Sequence, residues 1–318
     1  MEQIRRRRLE RMQYRVLKTL WQHLDSYSPD TLDDAALNDL GVVRGADLDV
    51  DNPPPLDFEP RFFAPYHGEI SGLEEELETW GPHWRPSKDK PEHLRDDEWI
   101  RNAGYTYAET RLEWFDKVFL GLGMEYEGEI HPINIYKGVN QEDMSFGSPM
   151  GDCDNNGGLY LTGYYKVPTA ADTPHLGITM LNPTVAPEGK MFESELKAAV
   201  ACLWAQTRSK QFTDHHTKPV IVFTFQSETH ARITQAHIDA DTNEIMVRQS
   251  RQFELIGAPR EPPADAYLLL RWLLNSPVGA TKYEDEQLPP SEGEMAKGAG
   301  TGGAEMPAVS RIVVVESG

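Results

Sequence analysis

The run Asp152-Cys153-Asp154-Asn155-Asn156-Gly157 sets side-chain oxygens at alternate positions. That is the pattern of the first half of an EF-hand loop, which makes Asp152, Asp154 and Asn156 candidate ligands for a hard cation. The second half is missing: position twelve, where a bidentate Glu belongs, is Gly163. Asn156-Gly157 reads equally well as a turn before a strand. The histidines show no ligand spacing, since His230 and His237 fall on opposite faces of a straight strand. Asp214-His215-His216 follows a predicted helix, where cationic imidazoles favour the carbonyl end. A Cys153–His175 nucleophile pair has no motif to support it, and Cys202 sits in an apolar helical stretch as a small buried hydrophobe. The cluster Gly298-Ala299-Gly300-Thr301-Gly302-Gly303 lacks both the preceding strand and the Gly-Lys-Ser/Thr ending of a phosphate loop. No nucleophile-elbow, zincin or dinucleotide fingerprint occurs, and no cofactor is expected.

The elements that would position any chemistry are clearest between 191 and 275. Phe192, Leu196, Ala199, Val200, Leu203 and Trp204 recur at three- and four-residue steps and predict a helix ending near Gln211. Val220–Phe225 is almost continuously apolar and β-branched, as in a strand covered on both faces. Ala231–Ile238 and Ile245–Leu255 flank the turn-forming residues 239–244 and predict a hairpin. In its second strand, Met246, Arg248, Ser250, Gln252 and Glu254 share a face expected to be solvated or ligand-facing. A second helix spans Ala266–Leu274. Further predicted pieces are helices at 71–80 and 107–120, strands at 159–165 and 176–181, and a short helix capped by Ser28 with Pro29 in its first turn.

Composition frames these pieces. The 318 residues carry a net charge of −20, and Pro plus Gly total 48. So acidic a body disfavours phosphate backbones and anionic lipid. Two cysteines make no disulfide framework, and no run reaches a membrane span, so an intracellular protein, cytoplasmic or nuclear, is expected. Residues 1–24 differ, with seven Lys or Arg against two acids, and Leu9, Met12, Val16, Leu20 and Leu24 at helical spacing. They form a basic amphipathic helix, its Arg5, Arg6, Arg7 and Arg8 a candidate nuclear-import signal, or its basic face docks on the acidic body. The expected organisation is this helix, an acidic and largely flexible linker over 25–60, a globular domain over 61–281, and a Gly/Pro-rich tail over 282–318 with a possible terminal strand at 312–315.

The order helix, strand, strand, strand, helix and a possible final strand resembles the core of the PD-(D/E)XK nuclease-like superfamily. That resemblance of topology implies carboxylates holding a divalent metal and a Lys orienting water. Glu195 would be the helix acid, Asp239 the first strand acid, and Arg251 would stand at the lysine position. The motif itself departs: acid-x-Lys is replaced by Gln249-Ser250-Arg251, or by Glu244-Ile245-Met246, and Arg cannot act as a neutral base. The stretches Lys218–Val222, His230–Asp239 and Val247–Ser250, with Ala266–Thr281 beyond, are similar to a recurrent segment of filamentous-fungal proteins with no established activity. This implies a fungal source and no mechanism. The expected fold is α+β, a mostly antiparallel central sheet flanked by helices, with a helical N-terminal half. The expected function is non-enzymatic binding of another protein; the alternative is a divergent or degenerate metal-dependent nuclease-like enzyme.

Overall fold

The computed structural model describes residues 2–27, 29–52, 61–68, 115, 131–133, 160–166, 173–208, 212–227, 229–257 and 262–283. In chain order these form α1 (Glu2–Asp25), β1 (Thr31–Leu32), α2 (Asp34–Asp39), β2 (Val42–Arg44), β3 (Phe63–Ala64), β4 (His131–Ile133), β5 (Tyr160–Lys166) and β6 (Leu176–Asn182). Then follow β7 (Met191–Phe192), α3 (Glu193–Arg208), β8 (Val220–Gln226), β9 (His230–Ile238), β10 (Ile245–Gln249), β11 (Phe253–Glu254), α4 (Ala264–Leu273) and β12 (Ser276–Pro277). The fold is α+β.

The main sheet runs β2-β10-β9-β8-β6-β5-β4, with β11 added to β9. Its ladders are antiparallel except for β6 with β8 and β10 with β2. The parallel β6–β8 pair needs a crossover, and α3 supplies it. Every residue of β8 is buried, and period-two alternation explains why the run is so apolar. Val220 and Val222 pack with α3 and α1, while Ile221, Phe223 and Phe225 pack with α4. The sheet is thus a middle layer with a core on each side.

α1 joins the first core through Leu17, Leu20 and Leu24, which are buried against Leu203 and its neighbours. Tyr14 and Trp21 meet the Trp204 ring of α3 at 5.8 and 6.2 Å. The apolar face of this helix docks, therefore, while Arg11, Arg15 and Lys18 stay exposed.

Residues 29–52 correct the expectation of a largely flexible linker. β2 pairs in parallel with β10, Leu37, Val42, Leu48 and Val50 are buried, and the Trp272 indole donates to Val50 O at 3.1 Å. A few well-placed apolar residues outweigh the acidic average. α2 starts later than Ser28-Pro29 suggests, because Asp33 is its cap and accepts from Ala36 N at 3.0 Å. Gly41, at φ +72°, ends it. The strands expected at 159–165 and 176–181 are β5 and β6, paired antiparallel. Apart from Phe115, which is buried against Phe225, the expected helices at 71–80 and 107–120 lie outside the described residues. So do the 298–303 glycines and the strand at 312–315.

Candidate functional site

Four groups of polar residues contend for a functional role, beginning with Glu195. It is the third residue of α3, and its carboxylate reaches back to Phe192 N at 3.2 Å, the acid half of a capping box. The same carboxylate accepts from Arg232 Nε at 3.2 Å and Nη2 at 2.5 Å, and from Gln249 Nε2 at 3.1 Å. Glu195 is fully buried, and Arg232 nearly so. Nη1 of Arg232 donates to Lys190 O at 2.7 Å, and its guanidinium lies over the Phe192 ring. The order α3–β8–β9–β10 brings helix acid, second-strand arginine and third-strand glutamine to one point between helix and sheet.

These residues do not fit a divalent cation. Four donors already occupy the carboxylate, one neighbour is a guanidinium and the other a neutral amide. Asp239 does not join them. It sits at the hairpin turn, where its Oδ1 accepts from Asp241 N and Thr242 N at 3.0 and 2.8 Å, and the Thr242 bond holds its carboxyl below the usual carboxylate range. Thr234, the cross-strand partner of Gln249, lies five residues away, or about 16 Å along a strand.

Arg251 also has a different use. Between β10 and β11 the chain carries one residue more than the facing stretch of β9, a bulge that turns Arg251 outward. There it makes paired bonds of 2.7–2.8 Å to Asp51 and 2.8 Å to Asp265, clamping the 47–52 loop to the first turn of α4. The face expected to be solvated or ligand-facing is solvated only in part: Glu254 is exposed and Met246 and Gln252 are half-buried, but Arg248 is buried and donates to the Ala46 and Asp47 carbonyls at 2.9 and 3.0 Å. That is how β10 holds the chain leaving β2.

A third group lines a cavity of about 370 Å³ bounded by His175, His215, Val278, Thr281 and Lys282. His175 is buried; its Nε2–H donates to Val278 O at 3.1 Å, and its Nδ1 has no partner among the described residues. Burial, with a smaller contribution from nearby His215, pushes its pKa down to about 4, so the ring is neutral. Nδ1 of His215 meets Thr281 Oγ1 at 2.8 Å, and its Nε2 lies 3.9 Å from Asp214. This is a nucleophile–base–acid order with a loose final contact. Asp214 and His215 are adjacent in the sequence, but nothing there pairs them with Thr281, 66 residues on. Cys153, weighed above as a partner for His175, lies outside the described residues, as do Asp152, Asp154 and Asn156. Among the described residues no three His, Cys, Asp or Glu side chains gather into a metal site. Cys202 is buried, which pushes its thiol pKa up to about 12.

The fourth and largest is a cleft of about 930 Å³ between α1 and the end of α3. Arg6, Arg7, Arg11, Arg15 and Lys18 line it from α1, Arg208 from α3, and Thr213 from the loop beyond. Glu10, the acid among its described lining residues, lies 3.7 Å from the buried Lys218 ammonium. Arg7, Arg11, Arg15, Lys18 and Arg208 are exposed. The Arg5–Arg8 run lies in the first turns of α1, with Arg7 and Arg8 exposed. No described helix is long and apolar enough to cross a membrane. Compared with known proteins, the chain matches no family model, no curated protein and no solved structure.

Proposed function

We propose that this chain is a non-enzymatic interaction protein, built on a nuclease-like core whose centre is closed by Arg232. The observation that carries the reading is the saturation of Glu195. A carboxylate that would ligate metal or move a proton must present a lone pair to substrate, and here a cap, a guanidinium and an amide take them. A guanidinium in the middle of the cluster replaces a bound cation by a covalently tethered one. With chemistry closed at that point, recognition falls to the surface, and the basic cleft is roomier than the cavity beside His175 and His215. The acidic body keeps this positive region distinct.

Two measurements test the reading. Full-length protein incubated with Mg²⁺ or Mn²⁺ and with duplex DNA, single-stranded DNA or RNA should cleave none of them. Cleavage that Glu195→Gln abolishes would overturn the non-enzymatic half. Affinity capture from native extract should recover a reproducible partner relative to bare resin, and recovery equal to bare resin would overturn the binding half. Deleting residues 1–24 is not a suitable control, because it uncovers the core that Leu17, Leu20 and Leu24 close.

A further inference from the structure

We infer that the cleft between α1 and α3 binds a short, extended, carboxylate-rich peptide segment of a partner protein; this rests on the interaction reading above and adds the chemistry of the ligand. The argument begins with spacing. Arg7, Arg11 and Arg15 succeed one another every four residues and Lys18 follows three later, so they form one stripe along the helix. On an α-helix the steps rise about 6 Å each and about 4.5 Å for the last, a stripe roughly 16 Å long. An extended chain advances about 6.6 Å every two residues and turns alternate side chains to one side. Three carboxylates at alternate positions of a five- or six-residue strand therefore match the stripe almost step for step. Arginine's fork accepts a carboxylate through two parallel N–H···O bonds, which fixes orientation as well as attraction.

Two observations separate this occupant from other polyanions. A single phosphate is best held by cations converging on one point, whereas these are strung along the helix. A nucleic-acid strand longer than the cleft would run onto a body carrying 24 basic and 49 acidic residues outside residues 1–24, which repels it. Thr213, exposed at the cleft wall, adds a hydroxyl suited to a peptide backbone.

The test uses the full chain and fluorescence anisotropy. The probes are a labelled seven-residue peptide alternating Glu and Ala, its Gln-for-Glu counterpart, and an eight-nucleotide oligothymidylate. The expected result is saturable binding of the Glu peptide alone. It should weaken about tenfold in the double variant Arg11→Glu, Arg15→Glu, and weaken again when salt is raised so that the screening length falls below about 8 Å. Both substitutions lie on an exposed face, and an unchanged circular dichroism spectrum and melting temperature confirm that the variant is folded. Tighter binding of the oligonucleotide, equal binding of the Gln peptide, or no binding of any probe overturns the inference. A partner captured equally by wild type and the double variant leaves the interaction reading standing and also overturns this one.

Discussion

One separable part of the fold's acid sensitivity should come from the His175 ring. Its Nε2–H is committed to the Val278 carbonyl, so a proton can be added only at Nδ1, which is buried and makes no hydrogen bond among the described residues. Burial, reinforced by His215, sets its pKa at about 4, against about 6.5 in an unfolded chain. Because the folded pKa is the lower, the unfolded state binds more protons between these values. The contribution is complete above pH 6.5 and is lost as the pH falls toward 4. The full separation corresponds to roughly 3 kcal/mol, of which about 2 kcal/mol is gone at pH 5. The assay is urea unfolding of wild type and His175→Gln at pH 7.5 and pH 5.0. The glutamine amide retains a donor for Val278 and cannot titrate, and groups such as His216 contribute equally to both proteins. The wild type should therefore lose about 2 kcal/mol more than the variant between the two pH values. Parallel losses would refute the reasoning.

Three more expectations concern groups whose roles the structure defines. Arg232→Ala leaves Glu195 buried without its cation and should cost about 3–5 kcal/mol, whereas Glu195→Leu with Arg232→Met should restore most of that in denaturant melts. Arg251→Ala removes a clamp that is partly in solvent, so its cost should be about 1 kcal/mol or less and should shrink with added salt. In a Cys153→Ser background, Ellman's reagent should find no reactive thiol at pH 8 until the protein is unfolded, because Cys202 is fully buried and its thiol is held protonated.

The sequence displays the middle of the sheet well and its edges poorly, for a physical reason. β8 and α3 each bury side chains along their whole length, so their apolar pattern is dense enough to read locally. β2 is three residues long and pairs with a strand two hundred residues away. Its segment looked like a linker because acids dominate the composition, yet only a few side chains there make the contacts. Polar residues followed the same division. Glu195 was visible as an acid on a helix, but its partner was not, although Arg232 is a charged residue between apolar neighbours in a strand. Such a position requires an opposite charge from another element, and the third residue of the nearest helix supplies it. The Thr281–His215 contact had no comparable signal.

The N-terminal helix joins these threads, because its first turns are electrostatically frustrated. Arg6, Arg7 and Arg8 follow the first turn of α1, on the side of its positive dipole end, where cations are unfavourable by an amount that fades beyond that turn. Arg7, Arg11 and Arg15 repel along the stripe at a few tenths of a kcal/mol per pair. The residues that anchor α1, namely Leu17, Leu20 and Leu24, all lie toward its other end. Toward its start, Glu10 with Lys218 and Gln13 with the His216 carbonyl tie the helix down. An anionic peptide on the stripe would relieve both the dipole and the pairwise repulsion, so binding and helix order should be linked in one direction. Hydrogen exchange of the amides from about residue 6 to 15 should slow when the Glu–Ala peptide saturates the protein, while exchange in β8 and β9 stays unchanged. Unaltered exchange at the start of α1 under saturation would mean that the cationic stripe is not what the peptide contacts.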